Sequence, residues 1–215
     1  MISSLYPPFQ KWSQKGSVWL YSDPHFGDWE SYTFRGLTSN KTKEELDQFQ
    51  INNINKVVHK CDTIIFLGDI GDPVPLKNIK GYKVLITGNH DKGASVYKDY
   101  FDEIYTGCLT ISDKIILSHE PIKDCQTFFF NIHGHDHSGQ DFIEYVLKDY
   151  DADMSLDSMT KNYLNSIKKY KLNRLNVCAE WINYTPVNLK EIINVGILAP
   201  ISTIHRDYLD NINEK

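Results

Sequence analysis

Tyr82-Lys83-Val84-Leu85-Ile86-Thr87-Gly88-Asn89-His90-Asp91 is the stretch on which the reading of this chain turns. Its apolar, β-branched first part, 82–87, predicts a buried strand. Gly88 allows a sharp turn without steric cost, and an amide, an imidazole and a carboxylate follow at once. Strand ends that carry such groups are where α/β proteins commonly place their chemistry. By itself Asn-His-Asp reads first as an Asx-turn with a solvated histidine, so its meaning rests on what the rest of the chain places beside it.

Two earlier runs have the same form. Residues 17–22 predict a strand that ends at Asp23-Pro24-His25-Phe26-Gly27, and residues 63–67 predict a strand that ends at Gly68-Asp69-Ile70-Gly71-Asp72. Asp23 and His25, two apart, share one face if the backbone there is extended. Between these strands Thr42 and Glu45 form a capping box. Leu46, Phe49, Ile54, Val57 and Val58 continue it as a helical stripe that packs on a sheet. Residues 28–40 read as a loop, either a pocket rim or an exposed linker. If the three strands are parallel and joined by crossovers, their polar ends meet at one edge.

The second half changes style. Ser112-Asp113 between the runs 108–111 and 114–117 predicts a hairpin, whose second strand ends at Ser118-His119-Glu120-Pro121. Residues 127–132 predict a strand that ends at His133-Gly134-His135-Asp136-His137. Three histidines so close would repel one another if protonated in the interior, whereas neutral imidazoles are what a metal uses. Residues 174–179 predict another strand, and 186–192 a short strand running into a helical turn. Met159, Tyr163, Ile167 and Tyr170 give a helical stripe within 138–173. A weak helical pattern spans 204–212. No repeat or domain boundary is evident, so the chain reads as a single domain, 1–215, with a C-terminal tail from 196.

Composition narrows the function. The chain has 215 residues, 41% hydrophobic and 13% aromatic, with a formal net charge of −5 and a pI near 5.9. No basic patch of the kind that neutralises a nucleic-acid backbone is present, which argues against an extended nucleic-acid partner. Lys168-Lys169-Tyr170-Lys171 reads as the solvated face of a helix. Cys61, Cys108, Cys125 and Cys178 form no C-x-x-C pair, against a zinc knuckle or redox dithiol; Cys61 and Cys178, beside apolar runs, read as reduced core thiols. No run has membrane-spanning length, and 1–10 lacks the apolar core of a signal peptide. A soluble cytoplasmic protein with no membrane partner is expected.

The donors at expected strand ends are Asp23, His25, Asp69, Asn89, His119, His135 and His137. Seven oxygen and nitrogen donors are too many for one tetrahedral ion and suit two divalent ions, about 3.5–4 Å apart, that share a carboxylate. Without a thiolate the set favours Mn²⁺, Fe²⁺ or Zn²⁺. His90 is left as a proton donor to a leaving oxygen, with Asp91 placed to orient it.

The order Asp23-x-His25, Gly68-Asp69-x-x-Asp72, Gly88-Asn89-His90-Asp91, His119, Gly134-His135-x-His137 resembles the calcineurin-like metallophosphoesterase superfamily, over about residues 17–195. Asn176-Val177-Cys178-Ala179-Glu180 with Asn183-Tyr184-x-Pro186-Val187 looks like the closing strand of its small bacterial and phage members. The resemblance implies a four-layer α/β/β/α sandwich of two mixed sheets flanked by helices. It implies one ion on Asp23, His25, Asp69 and His137, and another on Asp69, Asn89, His119 and His135. The ions would be Mn²⁺, with Fe²⁺, Zn²⁺ or Ni²⁺ as alternatives. It further implies in-line attack of a bridging hydroxide on phosphorus, with His90 as proton donor or transition-state stabiliser; His90 and, by its place beside it, Asp91 are the catalytic residues expected. Two departures bear on substrate. Asp72 is followed by Pro73 and Val74, where superfamily protein phosphatases and diadenosine tetraphosphate hydrolases have an arginine. Asp28 stands where relatives often carry a histidine, which would alter preference through charge if that position touches substrate.

The function expected is a dinuclear phosphodiesterase acting on a small nucleotide-like ester. A phosphomonoesterase with the same site, a metal-binding scaffold without catalysis and a nuclease on longer nucleic acid are the alternatives. Residues 138–173 are expected either to cap the pocket mouth, to make a dimer contact or simply to pack on the sheet.

Overall fold

The apolar runs become two mixed sheets in the computed structural model of the protein, which describes residues 1–122, 129–138 and 156–201. The first sheet holds β1 (Val18–Tyr21), β2 (Thr63–Phe66), β3 (Tyr82–Ile86), β4 (Glu103–Tyr105) and β9 (Val187–Asn188), in the order β4-β3-β2-β1-β9. β1 to β4 are parallel, with Leu20 opposite Ile65 and Ile65 opposite Val84, while β9 runs antiparallel to β1. The second sheet holds β5 (Leu109–Thr110), β6 (Ile115–Leu117), β7 (Phe130–His133) and β8 (Arg174–Asn176) in sequential order, with β6, β7 and β8 parallel. β2 is buried on both faces, as its unbroken apolar sequence requires.

Helices flank both sheets, so the expected sandwich of two mixed sheets between helices is the fold the chain adopts. Helix α2 (Lys43–Val57) begins at the expected capping box, Thr42 with Glu45. It lies on the first sheet, where the Tyr21 hydroxyl donates to Gln50 Oε1 at 2.7 Å. Helix α3 (Leu156–Lys169) turns Tyr163, Leu164 and Ile167 into the core. The Tyr163 hydroxyl donates to the Asn176 carbonyl at 3.0 Å, so this part of 138–173 packs on the second sheet. Residues 139–155, the side chain of Met159, Cys125 and the pattern at 204–212 lie outside the described residues. Helix α4 (Leu189–Asn194) follows β9 directly, capped by Asn188. Among the described residues no helix is long and apolar enough to cross a membrane.

Several expectations are corrected. Residues 28–40 are not a plain loop: Asp28 accepts from the Glu30 and Ser31 amides and starts helix α1 (Trp29–Phe34). So short a helix has no periodic signature, and tertiary contact of the buried Tyr32 with Asp47 holds it. β4 is short and half-buried, too slight to read in advance. β7 begins at Phe130 rather than 127, with 127 and 128 outside the described residues. β8 ends at Asn176 rather than 179, because the chain then crosses to the first sheet, where Cys178 bridges Ser22 and the Ala179 amide donates to the Ser22 carbonyl at 3.0 Å. Cys61 is exposed, not a core thiol, while Cys178 is buried. The turn before β2 instead buries Asp62, whose carboxylate accepts from the Ser17 amide at 2.8 Å, the His59 amide at 2.8 Å and the Trp19 indole at 3.2 Å.

Asp62 therefore ties the start of β1 to the start of β2. Burial alone would raise its pKa, but the His59 and Ser17 amides outweigh that and hold it below the usual carboxylate range. A depressed folded pKa stabilises the fold above the unfolded value and loses that stabilisation as pH falls through the folded one. Asp62→Ala should cost about 2–3 kcal/mol at neutral pH by urea denaturation. The gap between variant and wild type should shrink as pH is lowered below about 4.

Candidate metal centre

The loops after β1 and β2 are zipped together in register. The Asp23 amide donates to the Gly68 carbonyl at 3.0 Å, His25 to Asp69 at 3.0 Å and Phe26 to Ile70 at 2.8 Å. The backbone at these turns is unusual: Asp23, His25 and Asp69 in the paired loops have φ of 56°, 46° and 54°, and His135 after β7 has φ of 65°. Left-handed Asp and His are uncommon, and where they persist the surroundings over-determine them. Asp23 and His25 are thus not neighbours on an extended strand. The turn brings their side chains together instead, His25 Nε2 lying 4.0 Å from Asp23 Oδ1.

Glycines let the strand ends of the two sheets close on one another. Gly68, at φ 94°, faces Gly88 and His119, and a Cβ on it would lie 2.6 Å from the Gly88 backbone. A Cβ on Gly88 would meet Asp69 Oδ1 at 2.3 Å, and one on Gly134 would meet Asp23 Oδ2 at 2.3 Å.

All seven expected donors meet at this edge. Asp69 Oδ2 is 3.6 Å from His25 Nε2 and 3.4 Å from His119 Nε2. His137 Nε2 is 3.4 Å from Asp23 Oδ1. Asn89 Oδ1 is 2.7 Å from His119 Nε2 and 3.1 Å from His135 Nδ1. Two donor groups, Asp23-His25-Asp69 and Asp69-His119-His135, each lie within 4.8 Å and have Asp69 in common; Asp23-His137-Cys178 forms a further such group.

The arrangement suits a divalent cation. Asp23 Oδ1 and His25 Nε2 are buried without a hydrogen-bond partner, an arrangement that costs free energy unless a positive ion stands between them. Three of the imidazoles have, at Nδ1, an oxygen from outside the seven donors: Asp28 Oδ2 at 3.4 Å for His25, the Leu67 carbonyl at 2.7 Å for His119, and Glu180 Oε1 for His137. An acceptor at Nδ1 keeps the proton there and leaves the Nε2 lone pair for the site. His119 has oxygens at both nitrogens. Burial alone would lower its pKa, but the hydrogen bond to Asp69 and the Asp23 and Asp69 charges push it up to about 9. His133, the remaining histidine of its cluster, is fully buried at the end of β7, where burial lowers its pKa to about 4.

Asp91 does not orient His90. Its Oδ2 accepts from the Asp69 and Gly88 amides at 3.0 and 2.8 Å, and its Oδ1 from the Ile70 amide at 2.8 Å and the Tyr97 hydroxyl at 3.1 Å. Its lone pairs are taken up in bracing the β2 and β3 ends. His90 is exposed, its amide donates to Asp69 Oδ1 at 2.9 Å, and its ring lies 5.9 Å from that of His25. Asp28 divides its carboxylate between capping α1 and facing His25. Three residues here carried no expected site role. Glu180 meets His137, the Arg35 Nη2 donates to the Asp23 carbonyl at 2.8 Å, and the Cys178 thiol donates to Asp23 Oδ2 at 3.2 Å. Burial and the nearby Asp23 hold that thiol protonated. No spacing to the expected ligands signals them, because Arg35 comes from the end of α1 and Cys178 and Glu180 from the segment after β8.

No family model matches the chain. An uncharacterized protein of Methanocaldococcus jannaschii is 29% identical over 192 residues, covering 83% of this chain and 90% of that protein. The crystal structure of a protein of unknown function from Aquifex aeolicus is similar over 83% of this chain and 98% of its own, at 25% identity and a TM-score of 0.55. A crystal structure of Pseudomonas putida nuclease MPE matches over 56% of this chain and 60% of its own, at 23% identity and a TM-score of 0.36.

The fit to a cation predicts that added Mn²⁺ raises the melting temperature of metal-stripped protein. Gly134→Ala, which drives a methyl into Asp23, should cost about 1–3 kcal/mol and abolish that rise. Differential scanning calorimetry with and without Mn²⁺ reads both effects.

Proposed function

We propose that this chain is a dinuclear metal-dependent phosphoesterase of the calcineurin-like superfamily, and that its substrate is a small nucleotide-like phosphodiester. One observation carries the reading: the Asp69 carboxylate stands between two imidazoles, at 3.6 Å and 3.4 Å, each belonging to its own donor group. One ion would be held by Asp23, His25, Asp69 and His137, the other by Asp69, Asn89, His119 and His135. Mn²⁺ suits these nitrogen and oxygen donors, as do Fe²⁺, Zn²⁺ and Ni²⁺. Bound there, the pair supplies Lewis-acid polarisation of a phosphoryl group and an activated water at neutral pH.

The chain's own groups do the rest. Asp69 Oδ1 holds the His90 amide, so the exposed His90 imidazole stands at the rim and donates a proton from a ring nitrogen to the leaving oxygen. Asp91 acts one step removed, by holding Asp69 and Gly88 in place. A diester is favoured over a monoester because a second phosphate charge finds no arginine after Asp72. Pro73 leads there into a 3-10 turn, Val74–Asn78. Arg35 lies beside the site, but its side chain is 2% exposed and faces Asp23 and Glu180 rather than the rim. The net charge of −5 favours a small substrate over an extended nucleic acid. We read residues 1–215 as one domain serving this site.

The test is hydrolysis of bis(p-nitrophenyl) phosphate and p-nitrophenyl phosphate by metal-stripped protein refilled with Mn²⁺. Diester turnover should exceed monoester turnover. His90→Ala should lower it about 10²–10⁴-fold with Mn²⁺ stoichiometry unchanged. Monoester preference would make the protein a phosphomonoesterase, and two bound ions with no turnover of either ester would make it a scaffold.

A further inference from the structure

Glu180 and Arg35 close a circuit around half of the site. Glu180 Oε1 meets His137 Nδ1. Its Oε2 is buried, makes no hydrogen bond and lies 3.7 Å from Arg35 Nη1. The same guanidinium donates from Nη2 to the Asp23 carbonyl at 2.8 Å. Asp23 Oδ1 in turn is 3.4 Å from His137 Nε2. The contacts thus run Arg35, Asp23, His137, Glu180 and back to Arg35. Two of the four are expected ligands and two are not. Trp181, next to Glu180, adds an indole donor to the His137 carbonyl at 3.2 Å.

We propose that Glu180, anchored by Arg35, is a positioning residue that fixes the His137 ring and strengthens the ion held by Asp23, His25, Asp69 and His137; this rests on reading the site as a metal centre. A buried guanidinium needs a counter-charge wherever it lies, so the pair alone would be unremarkable packing. Its attachments decide otherwise: one end grips the backbone of Asp23, the other the far nitrogen of His137. A carboxylate on Nδ1 both orients an imidazole and makes Nε2 a better donor. The effect is confined to one half of the site. His119, in the other half, has a neutral carbonyl at Nδ1. Arg35 suits the task better than lysine, since its planar fork reaches the Asp23 carbonyl and Glu180 at once.

The test uses the full chain, stripped of metal, as wild type, Glu180→Gln and Arg35→Lys. Glutamine keeps the length and an acceptor oxygen but removes the charge; lysine keeps the charge but loses the fork. Isothermal titration with Mn²⁺ should show two ions in wild type. In each variant one ion should weaken about 10–100-fold while the other is unchanged. The visible spectrum of the Co²⁺-loaded variants should shift as well. Wild-type affinity for both ions in both variants would overturn the proposal. So would equal weakening of both ions with a lowered melting temperature, which is the mark of a merely structural pair. If Glu180→Gln does not fold, Arg35→Lys decides alone. Wild-type protein that binds no Mn²⁺ would overturn the metal-centre reading itself, and this inference with it.

Discussion

The close approach of the two sheets at their polar strand ends is the constraint on which the rest of this structure depends. Gly68 and Gly88 stand face to face beside His119, and Gly134 lies against Ser22 and Asp23. Any side chain at these points would push the sheets apart and separate donors contributed by different strands. The approach is then locked by directional bonds. Across the two sheets the His135 amide donates to Asp23 Oδ2 and the Ala179 amide to the Ser22 carbonyl, and His119 Nδ1 meets the Leu67 carbonyl. Parallel strands joined by crossovers deliver all their carboxyl ends to one edge, so the topology concentrates polar groups from segments far apart in sequence.

That concentration is costly in electrostatic terms. Asp23 and Asp69 are almost wholly buried, and a buried carboxylate survives only with compensation. The protein compensates part of it. Asp23 Oδ2 takes the His135 amide and the Cys178 thiol, and Asp69 Oδ1 takes the His90 amide. The second oxygen of each is left to face imidazole nitrogens. Burial would raise the Asp69 pKa, yet His119 holds it below the ordinary range. Glu180 is likewise kept ionised against burial by His137 and Arg35. The pattern is one of negative charge held ready in a rigid cage, with imidazole lone pairs steered inward by acceptors at their outer nitrogens. Such a cage is suited to a divalent cation and poorly suited to a neutral ligand.

Several outer side chains have structural work that the sequence does not betray. Asp91 looks, from its place beside His90, like the partner of that imidazole, yet its lone pairs serve three backbone amides and a tyrosine. Asp28, which stands where relatives often carry a histidine, is both a helix cap and an acceptor facing His25. Adjacency in sequence is a poor guide in an irregular turn, because successive side chains there need not share a face. Glu180 and Arg35 show the converse. They are 145 residues apart in the chain and meet because the segment after β8 crosses from one sheet to the other.

The features legible along the chain were periodic or punctuated. The strands 17–22, 63–67 and 82–87, the capping box at Thr42, the hairpin at Ser112-Asp113 and the seven donors at strand ends are all local, since a β-branched run, a cap and a glycine turn act within a few residues. Tertiary structure alone decided the rest. It made a helix of Trp29–Phe34 through the burial of Tyr32, put Cys61 in solvent and Asp62 inside, and bent Asp23 and His25 into left-handed turns. It also chose which oxygen faces which imidazole nitrogen. Those choices depend on distances between segments far apart in the chain, and no pattern within a single segment encodes such a distance.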